Sequence, residues 1–482
     1  MLDASNEFPD DVLWEHDLAD AVEWCVEQGA SVINVSLGDA RSVLTMRRQT
    51  AGAAVIDELA RRHGVTIVTC TGNISPQDYL KEITDGVALT YPEALLNAEH
   101  ARLIDPAPAM LALTVGAITR SAAATGLTAH ETVVRVPMGK PGWPSPFTRI
   151  GPGIAGAVKP ELVELGGTLG IESGRLVDND AELSVISASA QADRVLTFDI
   201  GTSFAAPLVT RVAAAVKARF PEFSSNLVRA LVLSSAAALD FERELEADRP
   251  ADVTDAAFRL TGYGRPSIIR ATESNSHRVV LVAEDRIPID GVHVYEIPVP
   301  ESFRRSGGKR GVDIALAYDP RTRLRRLDYL SNRMEFHVVR GMSLDEVVAS
   351  FTRLDPEDQA DIEAEGDDEQ QDGSGDSVAS PPPTLTQLKS RVCKLRPSAP
   401  VRSRGANQLG RRVLAHRFDP ECHEPMFLVV RNLNRWDDST SVQPYALAVA
   451  MWRTEAQGEL YAEMEARLEA VVELAVEVEL EH

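Results

Sequence analysis

A serine hydroxyl between a strand and a helix can act as a nucleophile, and one heptapeptide of this 482-residue chain places a serine there: Gly201-Thr202-Ser203-Phe204-Ala205-Ala206-Pro207. Upstream, Val195-Leu196-Thr197-Phe198-Asp199-Ile200 reads as a short strand; downstream, Leu208, Val209, Val212, Ala215 and Val216 recur at helical spacing. Ser203 therefore stands at a helix start, where backbone N–H groups lack intrahelical acceptors and the helix dipole is positive. An oxyanion formed by attack of its hydroxyl on a carbonyl is stabilised at such a point. Pro207 is close enough to that start to be tolerated. Taken alone, Gly-Thr-Ser reads better as a serine N-cap on a core helix, so the nucleophile reading needs support from the rest of the chain.

The preceding elements supply it. Leu18, Ala21, Val22 and Cys25 mark one face of a helix ending at Gly29, and Ser31 to Gly38 follows as a buried strand. A second helix spans about Ala51 to Arg62 and stops at Gly64. The strand Val65-Thr66-Ile67-Val68-Thr69 then leads into Cys70-Thr71-Gly72-Asn73. Strand, helix, strand at this spacing is a right-handed parallel βαβ unit. The first half is expected to be α/β, a parallel sheet flanked by helices. A further helix is expected around Pro92 to Leu103 and a strand near Leu111 to Ile118.

The heptapeptide resembles the nucleophile motif of the subtilisin-like serine proteases (subtilases), Gly-Thr-Ser-Met/Phe-Ala-Ala/Ser-Pro. The run from Ala21-Val22-Glu23-Trp24 through Ser36-Leu37-Gly38 resembles that family's helix and substrate-binding strand in order and spacing. The resemblance implies a serine endopeptidase acting on a protein or peptide substrate through a Ser203 acyl-enzyme, with no cofactor. It implies that Ser36, Leu37 and Gly38 pair with an extended substrate and that Cys70, Thr71 and Gly72 wall the S1 pocket. It also implies that Asn73 donates its amide to the oxyanion; without the family, Gly72-Asn73 is a turn signal after a strand. Phe147 to Pro152 and Lys159 to Val163 match further landmarks that add order but no chemistry. Gly262 to Pro266 matches the closing turn.

A serine needs a base and an acid to orient it. In this family both precede the serine, yet neither Asp-Ser/Thr-Gly after an early strand nor His-Gly-Thr-His occurs. Met1-Leu2-Asp3 resembles the end of the strand before the Ala21 helix, which places the expected Asp and His upstream of residue 1. His16, His63 and His130 lack the family context and read as surface residues. Two other readings stay open: a catalytically inactive peptide- or protein-binding module, and complementation by a second polypeptide.

Composition bounds the rest. A formal net charge of -23 argues against nucleic acid as a partner. With no run of eighteen apolar residues and no signal-peptide pattern, no membrane role and a cytoplasmic location are expected. Cys25, Cys70, Cys393 and Cys422 lack metal-type spacing, so free thiols and no metal site are expected. The domain reading is a peptidase-like domain at 1–272 lacking its N-terminal part, then a β-rich domain split into 273–353 and 385–453. Alternation of Val312, Ile314, Leu316 and Tyr318, and of Tyr445, Leu447, Val449 and Met451, predicts a β-sandwich of strands with one buried face. Residues 354–384 hold an acidic insertion, with eleven acidic residues and no Lys or Arg from Asp355 to Asp376, expected to be disordered. Residues 454–482 are expected to form a C-terminal helix, with Tyr461, Met464, Leu468, Val471, Val472 and Ala475 on one face. That face either packs on the chain's own sandwich or, like the β-domain, receives a protein partner.

Overall fold

The computed structural model describes residues 13–45, 47–75, 92–121, 135–173, 175–178, 180–241, 253–304, 308–325, 328–352, 385–414, 426–438, 440–455, 460–464 and 476–478. The chain divides into two compact units, Met1–Thr272 with Thr322–Tyr329, and Glu273–Arg321 with Leu330–His482. The expected acidic insertion, 354–384, lies outside the described residues.

The first unit is built on four parallel strands, β1 (Val32–Val35), β2 (Thr66–Cys70), β3 (Leu113–Ile118) and β4 (Leu162–Leu165), side by side in that order. Every residue of β2 and β3 is buried, as in a parallel sheet covered on both faces. Helix α1 (Trp14–Glu27) precedes β1, and α2 (Ala51–His63) makes the crossover from β1 to β2. The N-terminus of α2 is satisfied from a distance: Asp105 accepts from Gly52 N at 2.9 Å, Ala53 N at 2.8 Å and the Thr50 hydroxyl at 2.6 Å. Helix α3 (Thr202–Arg219) packs across all four strands, burying Ala205, Val209, Val212, Ala213 and Val216. It is followed by α4 (Ser225–Ser235), capped by Ser224, whose hydroxyl accepts from Leu227 N at 3.2 Å.

The helix expected from Pro92 to Leu103 is instead two short pieces, Glu93–Asn97 and a 3-10 turn at Glu99–Ala101, separated by an extended Ala98. The break lies at Ala98, and the bonds on either side of it span three residues rather than four, Ala98 N to Leu95 O at 3.3 Å and Arg102 N to Glu99 O at 3.2 Å. The carbonyls beyond are held from outside: Arg149 donates to those of His100 and Arg102, and Ile150 N donates to Ala101 O at 2.7 Å.

In the second unit, β5 (Arg278–Pro288), β6 (Val292–Ile297), β7 (Arg310–Tyr318), β8 (Asn332–Arg340), β9 (Asn407–Leu414), β10 (Met426–Asn434), β11 (Val442–Arg453) and β12 (Val476–Val478) form two antiparallel sheets. Their orders are β5-β11-β7-β9 and β8-β10-β6-β12. Polar groups meet across the sandwich: His293 Nδ1 lies 2.8 Å from the Tyr445 hydroxyl, and Gln408 Nε2 donates to the Met334 backbone carbonyl at 2.7 Å. The expectation of one buried face fails in β11, where Tyr445 through Met451 are all buried, and at β7, which is buried at every residue. Its alternate residues are the small Ala315 and Ala317, with Asp313 paired to Arg278 at 3.2 Å, so the second face packs as closely as the first. The C-terminal helix is also corrected. Leu460–Met464 are helical, but Val476–Val478, rich in β-branched residues, pair with β6 as a strand. Leu468, Val471, Val472 and Ala475 lie outside the described residues. Among the described residues no helix is long and apolar enough to cross a membrane.

One buried carboxylate ties the first unit together. Asp57 of α2 accepts from Met110 N at 3.0 Å, Leu111 N at 2.7 Å and the Tyr329 hydroxyl at 2.7 Å. Burial raises its carboxyl from 3.8 to about 6 against the pull of these donors. The folded state thus holds this proton more tightly than the unfolded chain. Asp57 favours folding most below pH ~4, and that contribution is lost as pH rises through about 6. A donor matters most to the ionised form. Tyr329→Phe is expected to cost about 2 kcal/mol at pH 7.5 and clearly less at pH 5 in thermal melts; an equal loss at both pH values would contradict this.

Candidate active site

Ser203 is the second residue of α3. The chain reaches it from the strand Leu196–Asp199, which pairs antiparallel with Val185–Ala188, and Gly201 N is fixed on Gly166 O at 2.9 Å. At the helix start two N–H groups need acceptors from outside. That of Thr202 donates to Asn73 Oδ1 at 2.9 Å, and the Thr202 hydroxyl donates to the same oxygen at 3.0 Å. That of Ser203 has no acceptor among the described residues.

This division orients Asn73. An amide N–H can only donate, so the carboxamide oxygen must face Thr202 and the nitrogen must face away. Asn73 Nδ2 turns toward Gly201 and would lie 3.1 Å from a Cβ there, so glycine is what admits it. Ser203 N–H and Asn73 Nδ2 are thereby two donors left over at the positive end of a helix, the arrangement that stabilises an oxyanion.

The loop carrying Asn73 follows β2 and is stapled to the segment Phe147–Ile150. Ile74 N donates to Phe147 O at 2.7 Å, Arg149 N to Gly72 O at 3.2 Å, and Asn73 bridges Thr148. Arg149 is only 5% exposed, and its Nε donates to Asn73 O at 3.0 Å. The segment expected to bring no chemistry therefore holds a residue that fixes the Asn73 backbone. Sequence reasoning missed Arg149 and Thr202 as positioning groups. The string Gly201-Thr202-Ser203 carried a signal for the second; for the first the sequence marked only the stretch Phe147 to Pro152, with no role for the arginine.

The Ser203 hydroxyl donates to Ser36 O at 3.4 Å and lies 3.9 Å from Cys70 Sγ. Ser36 returns the contact, its own hydroxyl donating to Ser203 O at 3.3 Å while accepting from Asn34 Nδ2 at 2.9 Å. Burial pushes the Cys70 thiol up, so it faces Ser203 as a neutral group. Thr71 is buried, with N donating to Val115 O at 3.0 Å, and Gly72 follows it at the end of β2. Leu37 is half-buried and Gly38 exposed, both beyond the end of β1. The structure thus gathers Ser203, Asn73, Ser36 and Cys70 around one point and places Leu37, Gly38, Thr71 and Gly72 on the flanking stretches.

Among the described residues, no imidazole or carboxylate hydrogen-bonds to the Ser203 hydroxyl. His16 is exposed on α1, His63 is the last residue of α2, and His130 lies outside the described residues. Among the described residues there is also no group of three or more His, Cys, Asp or Glu able to hold a metal ion, and Cys25, Cys70 and Cys393 are free thiols.

Comparison with known proteins gives this geometry its context. The uncharacterized protein y4bN of Sinorhizobium fredii (strain NBRC 101917 / NGR234) is 32% identical over 443 residues, covering 90% of this chain and 95% of that protein. Among solved structures, a lanthipeptide protease is 18% identical, with a TM-score of 0.33 over 56% of this chain and 67% of its own. The prenylagaramide maturation protease PagA is 20% identical, with a TM-score of 0.32 over 56% and 69%. The model of the subtilase family, Peptidase_S8, matches residues 5–264. That match spans more than half of the 482 residues, and the chain belongs to the subtilase family.

Proposed function

We propose that this chain carries the nucleophile of a serine endopeptidase that cleaves peptide bonds through a Ser203 acyl-enzyme. The observation that carries the proposal is the Thr202 N–H to Asn73 Oδ1 bond at 2.9 Å, which leaves Ser203 N–H and Asn73 Nδ2 as paired donors beside the hydroxyl. In the reaction the Ser203 Oγ attacks the substrate carbonyl carbon, and its proton passes to a histidine held by an aspartate. The carbonyl oxygen becomes an oxyanion between the two donors. Collapse breaks the C–N bond as the histidine returns the proton to the leaving amine, and water then hydrolyses the ester. The histidine and aspartate are supplied from outside the described residues. Ser36, Leu37 and Gly38 guide an extended substrate, and Cys70, Thr71 and Gly72 flank the side chain next to the scissile bond.

One observation favours a second reading. The present partners of the Ser203 hydroxyl are a carbonyl and a thiol, neither of them a base at neutral pH. A module that keeps the peptide cleft and binds without cleaving fits that environment.

A fluorophosphonate reagent separates the two. Applied to the protein tagged at its chromosomal locus, it is expected to label Ser203, with labelling lost in Ser203→Ala; an unlabelled parent protein would establish the binding module instead. In the same assay Asn73→Ala is expected to slow labelling by about 10²–10³-fold, the usual cost of one oxyanion donor. Arg149→Met, which frees the Asn73 backbone without touching the donors, is expected to slow it by about tenfold, with partial recovery in Arg149→Lys. Unchanged labelling rates in Asn73→Ala would remove that residue from the mechanism.

A further inference from the structure

Two stretches flank Ser203, and each ends in a glycine: Gly38 after Ser36 and Leu37, Gly72 after Cys70 and Thr71. The bare faces of both glycines meet the same side chain. A Cβ at Gly38 would stand 2.9 Å from Ile104 Cδ1, and a Cβ at Gly72 would meet that same methyl and lie 2.5 Å from Ile104 Cγ1. A single isoleucine thus occupies the space between the two walls.

Its position is fixed. Ile104 is 5% exposed and pairs with Val43 in a short antiparallel ladder, while Leu44 N donates to Leu103 O at 2.8 Å on one side. On the other side Asp105 is anchored as the cap of α2. The stem of Arg149 closes the recess beside it, its Cδ 3.2 Å from a Cβ at Gly72. The guanidinium is committed to the carbonyls of Asn73, His100 and Arg102, so its charge is already engaged below the cleft.

We propose that Ile104 sets the substrate class: it fills the recess for the side chain of the residue whose carbonyl Ser203 attacks, so the site takes glycine, alanine or serine there and rejects aromatic and large aliphatic residues. This rests on the peptidase reading of Ser203. The ladder and the α2 cap hold the Ile104 backbone, and the recess has no room for a ring while the side chain keeps the rotamer that meets both glycines. The Cys70 thiol, 3.9 Å from the Ser203 hydroxyl, narrows the entrance further.

The test uses two peptidyl diphenyl phosphonates that differ only in carrying an alanine-type or a phenylalanine-type side chain at the reacting position. Both are applied to the chromosomally tagged protein and to its Ile104→Val and Ile104→Ala variants. The alanine-type reagent is expected to label Ser203 about 100-fold faster in the parent, within the range that even one methylene group commands in a tight pocket. Ile104→Ala is expected to shrink that ratio to about tenfold or less by raising the phenylalanine-type rate, with Ile104→Val in between. Equal rates in the parent would overturn the inference. So would an unchanged ratio in Ile104→Val and Ile104→Ala variants that melt like the parent. A fluorophosphonate, which has no side chain to seat, is run alongside. If it labels the parent and the phosphonate ratio is flat, the specificity inference alone fails; if it labels nothing, the peptidase reading fails and takes this inference with it.

Discussion

The first turn of a helix cannot satisfy its own amide groups, and in this molecule the way that deficit is met at α3 determines the site. The Thr202 N–H is given to Asn73, and that of Ser203 is left over. One 2.9 Å bond therefore fixes which atom of the asparagine faces Thr202 and leaves its nitrogen as a donor without an acceptor among the described residues. The requirement then spreads outward. Asn73 approaches Gly201 closely, and that tight contact together with a φ of +156° favours a glycine there; the loop is held at that distance by the staple to Phe147–Ile150 and the buried Arg149.

The parallel sheet makes such an arrangement available. The stretches that meet Ser203 leave the carboxyl ends of β1 and β2, where open α/β sheets present their ligand-binding loops. Because α3 packs over all four strands, its N-terminus is held above those ends by the burial of Val209, Val212 and Val216. The polar groups at the site are thus positioned by an apolar contact far larger than any of their own bonds.

Local patterns were legible and long-range contacts were not. The βαβ order and the place of Ser203 at a helix start follow from apolar periodicity, whereas the stretches Ser36–Gly38 and Cys70–Asn73 stood out only through the resemblance to subtilases. Arg149 could not be read in this way. Its partners are carbonyls 47 to 76 positions away, and a backbone carbonyl leaves no mark on sequence. The same is true of Ile104, whose role comes from two glycines on different loops. The helix at Pro92 to Leu103 was overestimated because the chain turns extended at Ala98 and continues only as a 3-10 turn, a break that local propensity does not mark. In β7, alternation suggested a solvated face, but Ala315 and Ala317 are small enough to pack there and Asp313 is neutralised by Arg278.

The central claim is that two leftover donors beside the Ser203 hydroxyl exist to hold an oxyanion. A crystal structure of the phosphonate adduct at Ser203 addresses this most directly, because the phosphoryl oxygen occupies the place of the oxyanion. It is expected about 2.7–3.1 Å from both Ser203 N and Asn73 Nδ2, with the Thr202 to Asn73 Oδ1 bond retained. A phosphoryl oxygen pointing into solvent, or an Asn73 that has turned away from Thr202 to leave Ser203 N alone, would contradict it.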